Sequence, residues 1–311
     1  MDNPSLVIAG GSGFLGQAMA RHLSQRGYRI SILTRGPART SAHATYIPWD
    51  AQSVGPWAHA LDGAAAVINL AGKSVNTRYT PANRREIIES RVRSVRAIDQ
   101  AMRRCQQPPP LWVQAGSLAI YGDTTQTCAE DAPYGEGFPV ETCIAWEQAF
   151  AQASYDQRKV LLRIGFVLDA EGGALEPLAK LARLGLGGAA GSGQQYISWL
   201  HIHDFHRIIM WCLSQQTASG TYNVTGPSPA TNQAFMAALR RSLHRPWSPP
   251  IPSAAVRIGA WAMRTEADLV LKGRRCIPAR LLRESFTFDY PELRPALDAI
   301  FAPAAPRAAL G

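Results

Sequence analysis

The 311-residue chain predicts an α/β fold, a doubly wound parallel sheet with a smaller C-terminal subdomain. Three observations predict it. Apolar runs of strand length alternate with amphipathic helical patterns through about residue 170. The runs are rich in Val, Ile and Leu at consecutive positions, which suits strands covered on both faces. The first run is followed directly by a glycine-rich turn and a helix. Because parallel crossovers are right-handed, such a series winds helices onto both sides of one sheet.

In chain order, LVIA (6–9) reads as the first strand and FLGQAMARHLSQRG as the first helix. RISILT (29–34), a short candidate near TYIP, and AAVINLA (65–71) follow as strands. The segment 83–104 repeats Ile88, Val92, Val95 and Met102 at helical spacing, so its arginines read as the solvated face of a core helix. LWVQAG (111–116) is the next strand, and a helix around IAWEQAFAQA leads to a strand over VLLRIGFVL (160–168). Beyond about residue 170 the rhythm breaks. LGLGGAAGSG and PWSPPIP interrupt the helical segments DFHRIIMWCLSQ and NQAFMAALRRSL. The expected division is a nucleotide-binding domain over 1–170 and a substrate-covering subdomain over 171–311, with later segments interleaved into the sheet. The tail APAAPRAALG is expected to fray.

Composition narrows the class. With 46% hydrophobic and 18% charged residues the chain is globular. No basic leader precedes the short first apolar run, and no apolar stretch is long enough for a bilayer. Five scattered cysteines without a CxxC pair favour a reducing compartment, so a cytoplasmic location is expected. The net charge of +9 suits phosphorylated ligands. The basic helix lacks the interleaved aromatics of a single-strand binder, so nucleic acid is not an expected partner.

The turn AGGSGFLG places Gly10, Gly13 and Gly16 three residues apart between a strand and a helix, the context that makes a glycine motif a dinucleotide site. Ser12, Gly13, Phe14, Leu15 and Gly16 bring the helix N-terminus, with its free N–H groups, to the pyrophosphate. The second strand ends in Thr34-Arg35. An acid there would hold a free ribose 2′-hydroxyl, whereas Arg35 suits a 2′-phosphate, so NADP is favoured over NAD. Leu70, Ala71 and Gly72 lie at the carboxyl edge, where Gly72 lets the backbone approach the cofactor. Lys73 and Arg78 either neutralise phosphate or are exposed loop charges.

The glycine spacing, the NLAG edge and AGSLAIYGD resemble the extended short-chain dehydrogenase/reductase superfamily, which includes nucleotide-sugar epimerases and dehydratases. NLAGKSVNTRYTPANRREIIESR, RLGLGGAAGSGQQYISWLHIHD and LKGRRCIPARLLRESFTFDYPEL are similar to one epimerase-like subgroup with its own C-terminal domain, sometimes labelled cell-division-inhibitor-like. The resemblance implies a Rossmann-type fold and NADP, and it does not imply a known reaction. It implies the catalytic serine position for Ser117 and contact with the nicotinamide carboxamide for Phe166 and Val167. The superfamily's Tyr-x-x-x-Lys pair falls on Pro139 and Cys143, and neither does that chemistry.

Candidates for the proton carrier are therefore sought elsewhere. Tyr121 shares a carboxyl-edge loop with Ser117, and these two are the expected catalytic residues; alternatively Tyr121 packs and Ser117 caps a turn. Cys143 and Glu141 rank below them. Tyr155 and Lys159 have the right spacing but precede a strand, at the wrong edge of the sheet. His201, His203 and Asp204 resemble a metal cluster, yet they also read as a strand end and a helix cap, and no metal is expected. By the resemblance, His201 and GSGQQ (191–195) border the substrate. The resulting expectation is an NADP-dependent oxidoreductase or epimerase-like enzyme on a small polar substrate. The rival is a non-catalytic NADP(H)-binding regulator.

Overall fold

The computed structural model describes residues 3–154, 157–245 and 247–302. Its centre is a parallel sheet. Strands β1 (Ser5–Ala9), β2 (Arg29–Thr34), β4 (Thr45–Pro48), β5 (Ala66–Asn69), β6 (Leu111–Ser117), β8 (Arg158–Ile164) and β12 (Gly220–Val224) pair parallel, and the two-residue β3 (Arg39–Thr40) closes one edge antiparallel. Across the sheet the order is β3-β4-β2-β1-β5-β6-β8-β12. The winding reverses between β1 and β5, and ligands bind beyond the carboxyl ends of strands at such a switch point.

Alternation along β1 shows how two cores arise from one strand. Leu6 and Ile8 face α1 (Phe14–Ser24) and α5 (Ile202–Ser214), meeting Met19, Leu23, Phe205 and Ile208. Val7 and Ala9 face α2 (Pro81–Met102) and α3 (Phe138–Ala151), meeting Val95, Ile98, Trp146 and Phe150. Helix α2 starts at Pro81, with the Thr80 side chain accepting from the Asn83 N–H. Its buried stripe runs through Ile87, Val95, Ile98 and Met102, so Ile87 rather than the expected Ile88 carries the first turns of the seam.

The run 160–168, expected as one strand, is two. It breaks at Gly165, where a Cβ would sit 2.6 Å from the Ser198 carbonyl oxygen. The chain then leaves the main sheet, and β9 (Phe166–Leu168) pairs with β11 (Trp199–His201). A smaller unit follows, with α4 (Leu175–Arg183), α6 (Asn232–Ser242) and α10 (Leu293–Phe301) around Trp199, Phe235 and Leu297. The antiparallel pair β10 (Tyr196–Ile197) and β13 (Ala230–Thr231) borders it. Residues after 170 also return to the main body, since α5 covers the sheet and β12 extends it. The last segment carries α7 (Ser253–Ala262), α8 (Asp268–Leu271), β14 (Arg274–Cys276) and α9 (Ala279–Arg283), and β14 pairs parallel with β7 (Thr124–Cys128). Among the described residues, no helix is long and apolar enough to cross a membrane.

Candidate functional site

A cleft of about 420 Å³ opens beyond the ends of β1, β2 and β5. Its floor is the turn after β1, and the three glycines there have different reasons to lack a side chain. Gly10 has φ of 71° and lies against the next loop, where a Cβ would stand 2.7 Å from Ala71 Cα. Gly16 packs α1 onto the turn, and a Cβ there would overlap the Gly11 backbone. At Gly13 no protein atom lies within 3.8 Å of the missing Cβ. The fold tolerates a side chain at Gly13, so the open cradle fits a ligand's close approach. Gly13 is also the N-cap of α1 and supplies no side-chain cap, leaving the first-turn N–H groups without intrahelical acceptors.

Ser12 is exposed on the cleft wall, while Phe14 and Leu15 turn their side chains into packing. The Phe14 ring lies against Gly172 and Gly173. Thr34 is buried and its Oγ1 accepts from the Gly36 N–H at 3.2 Å. Arg35 lines the cleft, exposed, with no acidic partner among the described residues. On the other side, the buried Asn69 donates to Ser94 Oγ and Gln114 Oε1 and accepts from the Ala71 N–H. That network fixes the path of Leu70, Ala71 and Gly72 along the cleft. Lys73 lines it too, with Nζ donating to Asn83 Oδ1. Arg78 goes elsewhere: it donates to the Trp261 carbonyl at 2.7 Å and lies over that indole ring.

A second cleft of about 720 Å³ continues between α3, the β6 edge and the C-terminal segment. Ser117 lines it. Its Oγ accepts from the Ala119 N–H, capping the short 3₁₀ turn Leu118–Tyr121, and its own proton has no acceptor among the described residues. Tyr121 is placed differently from its neighbour. Its hydroxyl is sealed in the interior, donating to Asn223 Oδ1 at 2.8 Å and accepting from Arg163 at 2.7 Å. Burial pushes this phenol up to about 12, against the pull of Arg163. Arg163 is itself buried and held by both oxygens of Glu147 at 2.9 Å. Tyr121 thus ties the loop to β12 and does not line the cleft.

Pro139 occupies the first turn of α3, and Cys143 follows one turn later on the cleft wall. Burial, with Glu147 next, pushes the Cys143 thiol up to about 12, so it is a neutral thiol at physiological pH. Glu141 is exposed in the first turn of α3. Tyr155 lies outside the described residues, while Lys159 Nζ donates to the Phe150 and Ala153 carbonyls at the end of α3. Phe166 lines the second cleft, with its N–H donating to the Ser198 carbonyl at 2.8 Å and its ring packed edge-on against Phe235. Val167 is buried in the core.

The histidine segment is built into the fold. His201 caps α5 by accepting from the His203 N–H and stacks on Tyr290 at 3.9 Å, and burial holds its imidazole down at about 4. Asp204 accepts the N–H groups of Asp289 and Tyr290. From GSGQQ, Gln195 spends its amide on the Ala190 and Val270 carbonyls. Two cleft residues escaped the sequence reading. Arg91 lies four residues from both Ile87 and Val95, a spacing that puts it on the inward face of α2. Arg274, in LKGRRC, carries no local signal at all.

Residues 6–225 match the NAD dependent epimerase/dehydratase family, and residues 251–300 match the domain of unknown function DUF1731. The chain is 34% identical to the human epimerase family protein SDR39U1 over 96% of its own length and 99% of the relative's. It is 30% identical to the Bacillus subtilis epimerase family protein YfhF over 96% and 98% of the two chains. A crystal structure of human SDR39U1 (isoform 2) with NADPH superposes with a TM-score of 0.84 at 32% identity, covering 96% of this chain and 99% of that one. With the doubly wound sheet, the glycine turn at its switch point and the two matched regions in succession, the chain belongs to the NAD dependent epimerase/dehydratase family.

Proposed function

We propose that this protein is an NADP(H)-dependent oxidoreductase or epimerase-like enzyme acting on a small polar substrate, with neither nucleic acid nor membrane as its partner. The observation that carries the reading is Arg35, a charged donor at the end of β2 that lines the first cleft, together with Asp50 and Glu86, and makes no ion pair among the described residues. The open cradle at Gly13 supports a phosphate there, and the human relative was crystallised with NADPH. In this reading Gly10, Ser12, Gly13 and the α1 N-terminus hold the pyrophosphate. Thr34 and Arg35 hold the adenosine phosphate, and Leu70 to Lys73 border the ribose. Bound there, the cofactor would supply or accept a hydride beside the second cleft. Ser117 then hydrogen-bonds the substrate, while Tyr121 positions the loop through Asn223 rather than exchanging the proton itself.

Titration of the purified protein with NADPH and with NADH tests the reading. NADPH should bind about 10- to 100-fold more tightly, the worth of one or two charge-assisted hydrogen bonds, and Arg35→Ala should remove the difference. Equal affinities in the unsubstituted protein would overturn the Arg35 assignment. A second reading, a non-catalytic NADP(H)-binding regulator, is favoured by Pro139 and Cys143 at the proton-carrier positions and by the sealed Tyr121 hydroxyl. Stereospecific hydride exchange with any substrate would rule it out.

A further inference from the structure

We infer that the second cleft takes a substrate whose anionic group, a carboxylate or a phosphate, lies between Arg91 and Arg274 at the reacting end of the site. The inference rests on the reading of the first cleft as the cofactor site, because that reading makes the second cleft the substrate's.

The argument begins with charge. Arg158 and Arg240 donate to backbone carbonyls, while other partly buried arginines have carboxylate partners: Arg163 with Glu147, Arg280 with Glu284, and Arg207 with Asp204 and Asp289. Arg91 and Arg274 have none among the described residues, although both line the second cleft. Arg91 is fixed by its Nη1, which donates to the Lys73 and Ile87 carbonyls at 3.0 and 2.8 Å, and by its stacking on Trp146 at 5.0 Å. Its Nε and Nη2 have no acceptor among the described residues. Arg274 donates from Nε to the Gly122 carbonyl at 2.9 Å, and its two terminal nitrogens are likewise unengaged. The adjacent Arg275 points outward and lies over Tyr196. Burial weakens the hold of Arg91 and Arg274 on their protons, and at Arg274 the attraction of Asp123 offsets only part of that loss. Two positioned and desolvated cations without an internal anion are costly to the fold alone, and a bound anion offsets that cost.

The surroundings set where the anion goes. The 14-residue α3 begins at Gly137 without a side-chain cap and turns its N-terminus into the same cleft, beside Ser117. Carboxylates also border the cleft but are exposed or occupied. Glu266 accepts the Tyr79 N–H, Asp268 pairs with Lys272, and Asp123 accepts the Gly273 N–H. Glu136 and Glu141 are exposed. With carboxylates and the two arginines lining one cleft, a compact anionic group is favoured over a polyanion.

The test measures thermal unfolding of the NADPH-saturated protein during titration with inorganic phosphate and, separately, acetate, at ionic strength held constant with chloride. Saturating NADPH occupies the cations of the first cleft. A saturable stabilisation is expected with one of the anions, and the better one identifies the substrate's group as phosphoryl or carboxylate. Arg274→Gln and Arg91→Gln should each weaken that anion about tenfold or more, while Arg275→Gln should match the unsubstituted protein. If Arg91→Gln does not fold, Arg274→Gln decides, with its NADPH affinity as the check on its structure. No saturable response to either anion, or equal responses in Arg274→Gln and Arg275→Gln, would overturn the inference. If NADPH itself fails to bind, the cofactor reading falls, and the same titrations on the protein alone still report on the two arginines.

Discussion

Gly13 and Gly16 are the same residue type for opposite reasons. Gly16 is required by packing, because α1 lies so close to the turn that any Cβ meets the Gly11 backbone. Gly13 has an extended backbone that any residue adopts, and open space where its Cβ would be. Gly16→Ala should therefore cost about 1–3 kcal/mol in urea denaturation, as overpacking does. Gly13→Ala should stay within about 0.5 kcal/mol of the unsubstituted protein and yet lose NADPH affinity by about tenfold or more, measured by fluorescence titration. Undiminished binding in Gly13→Ala would remove the cradle from the cofactor site. The glycine spacing was legible in the sequence. Which glycine serves the fold and which the ligand was not, because the difference lies in what surrounds each missing Cβ.

At the scale of elements, the α1–α5 contact carries a pH dependence. His22 and His206 stack with ring centroids 4.2 Å apart, and the Nε2 atom of each is buried without a partner among the described residues. Burial is the first cause that holds His22 at about 4 and His206 at about 3, and their mutual contact, His203, Arg21 and Arg26 add to it. Both are neutral in the folded protein while the unfolded chain still takes up protons near 6.5. The unfolded state thus binds more protons between about 6.5 and 4, so stability is full above this window and falls as pH drops through it. Denaturation at a series of pH values should show that decline, and His206→Phe should make it shallower, with His22 and His201 carrying the remainder. A flat profile for the unsubstituted protein would contradict the burial of the pair. Apolar periodicity identified both helices, but not that their histidines meet, since the two are far apart in the chain. The break at Gly165 was hidden for a similar reason: the obstructing Ser198 carbonyl comes from another segment.

For the whole molecule, the C-terminal segment is part of the body rather than an appendage. Strand β14 pairs with β7, placing Cys276 beside Cys128 in a small core with Ile120 and Tyr121. Glu130 accepts from the backbone N–H groups of both Asn223 and Arg280, and Arg280 lies over Tyr222 at 4.0 Å while donating to its hydroxyl. Phe286 and Leu281 complete the core beneath α5. A chain ending at residue 250 exposes these surfaces and removes the Arg280 N–H from Glu130, so it should be insoluble or protease-sensitive, whereas the full chain melts in one cooperative transition. Limited proteolysis and calorimetry distinguish the two outcomes. A soluble, NADPH-binding 1–250 fragment would show that the segment is dispensable to the fold.

The sequence by itself determined the parallel sheet and the glycine turn at its switch point. These depend on local periodicity and on glycine spacing. Tertiary structure alone decided that Tyr121 turns inward to Asn223 and Arg163 while Ser117 faces the cleft, although the two share one loop. It also decided that Arg78 serves Trp261, and that Arg91 from α2 and Arg274 from β14 meet in one cavity. The physical reason is common to all of these. A side chain's function follows from the partners that reach it, and here those partners come from distant segments that only the packed sheet and its C-terminal cover bring together.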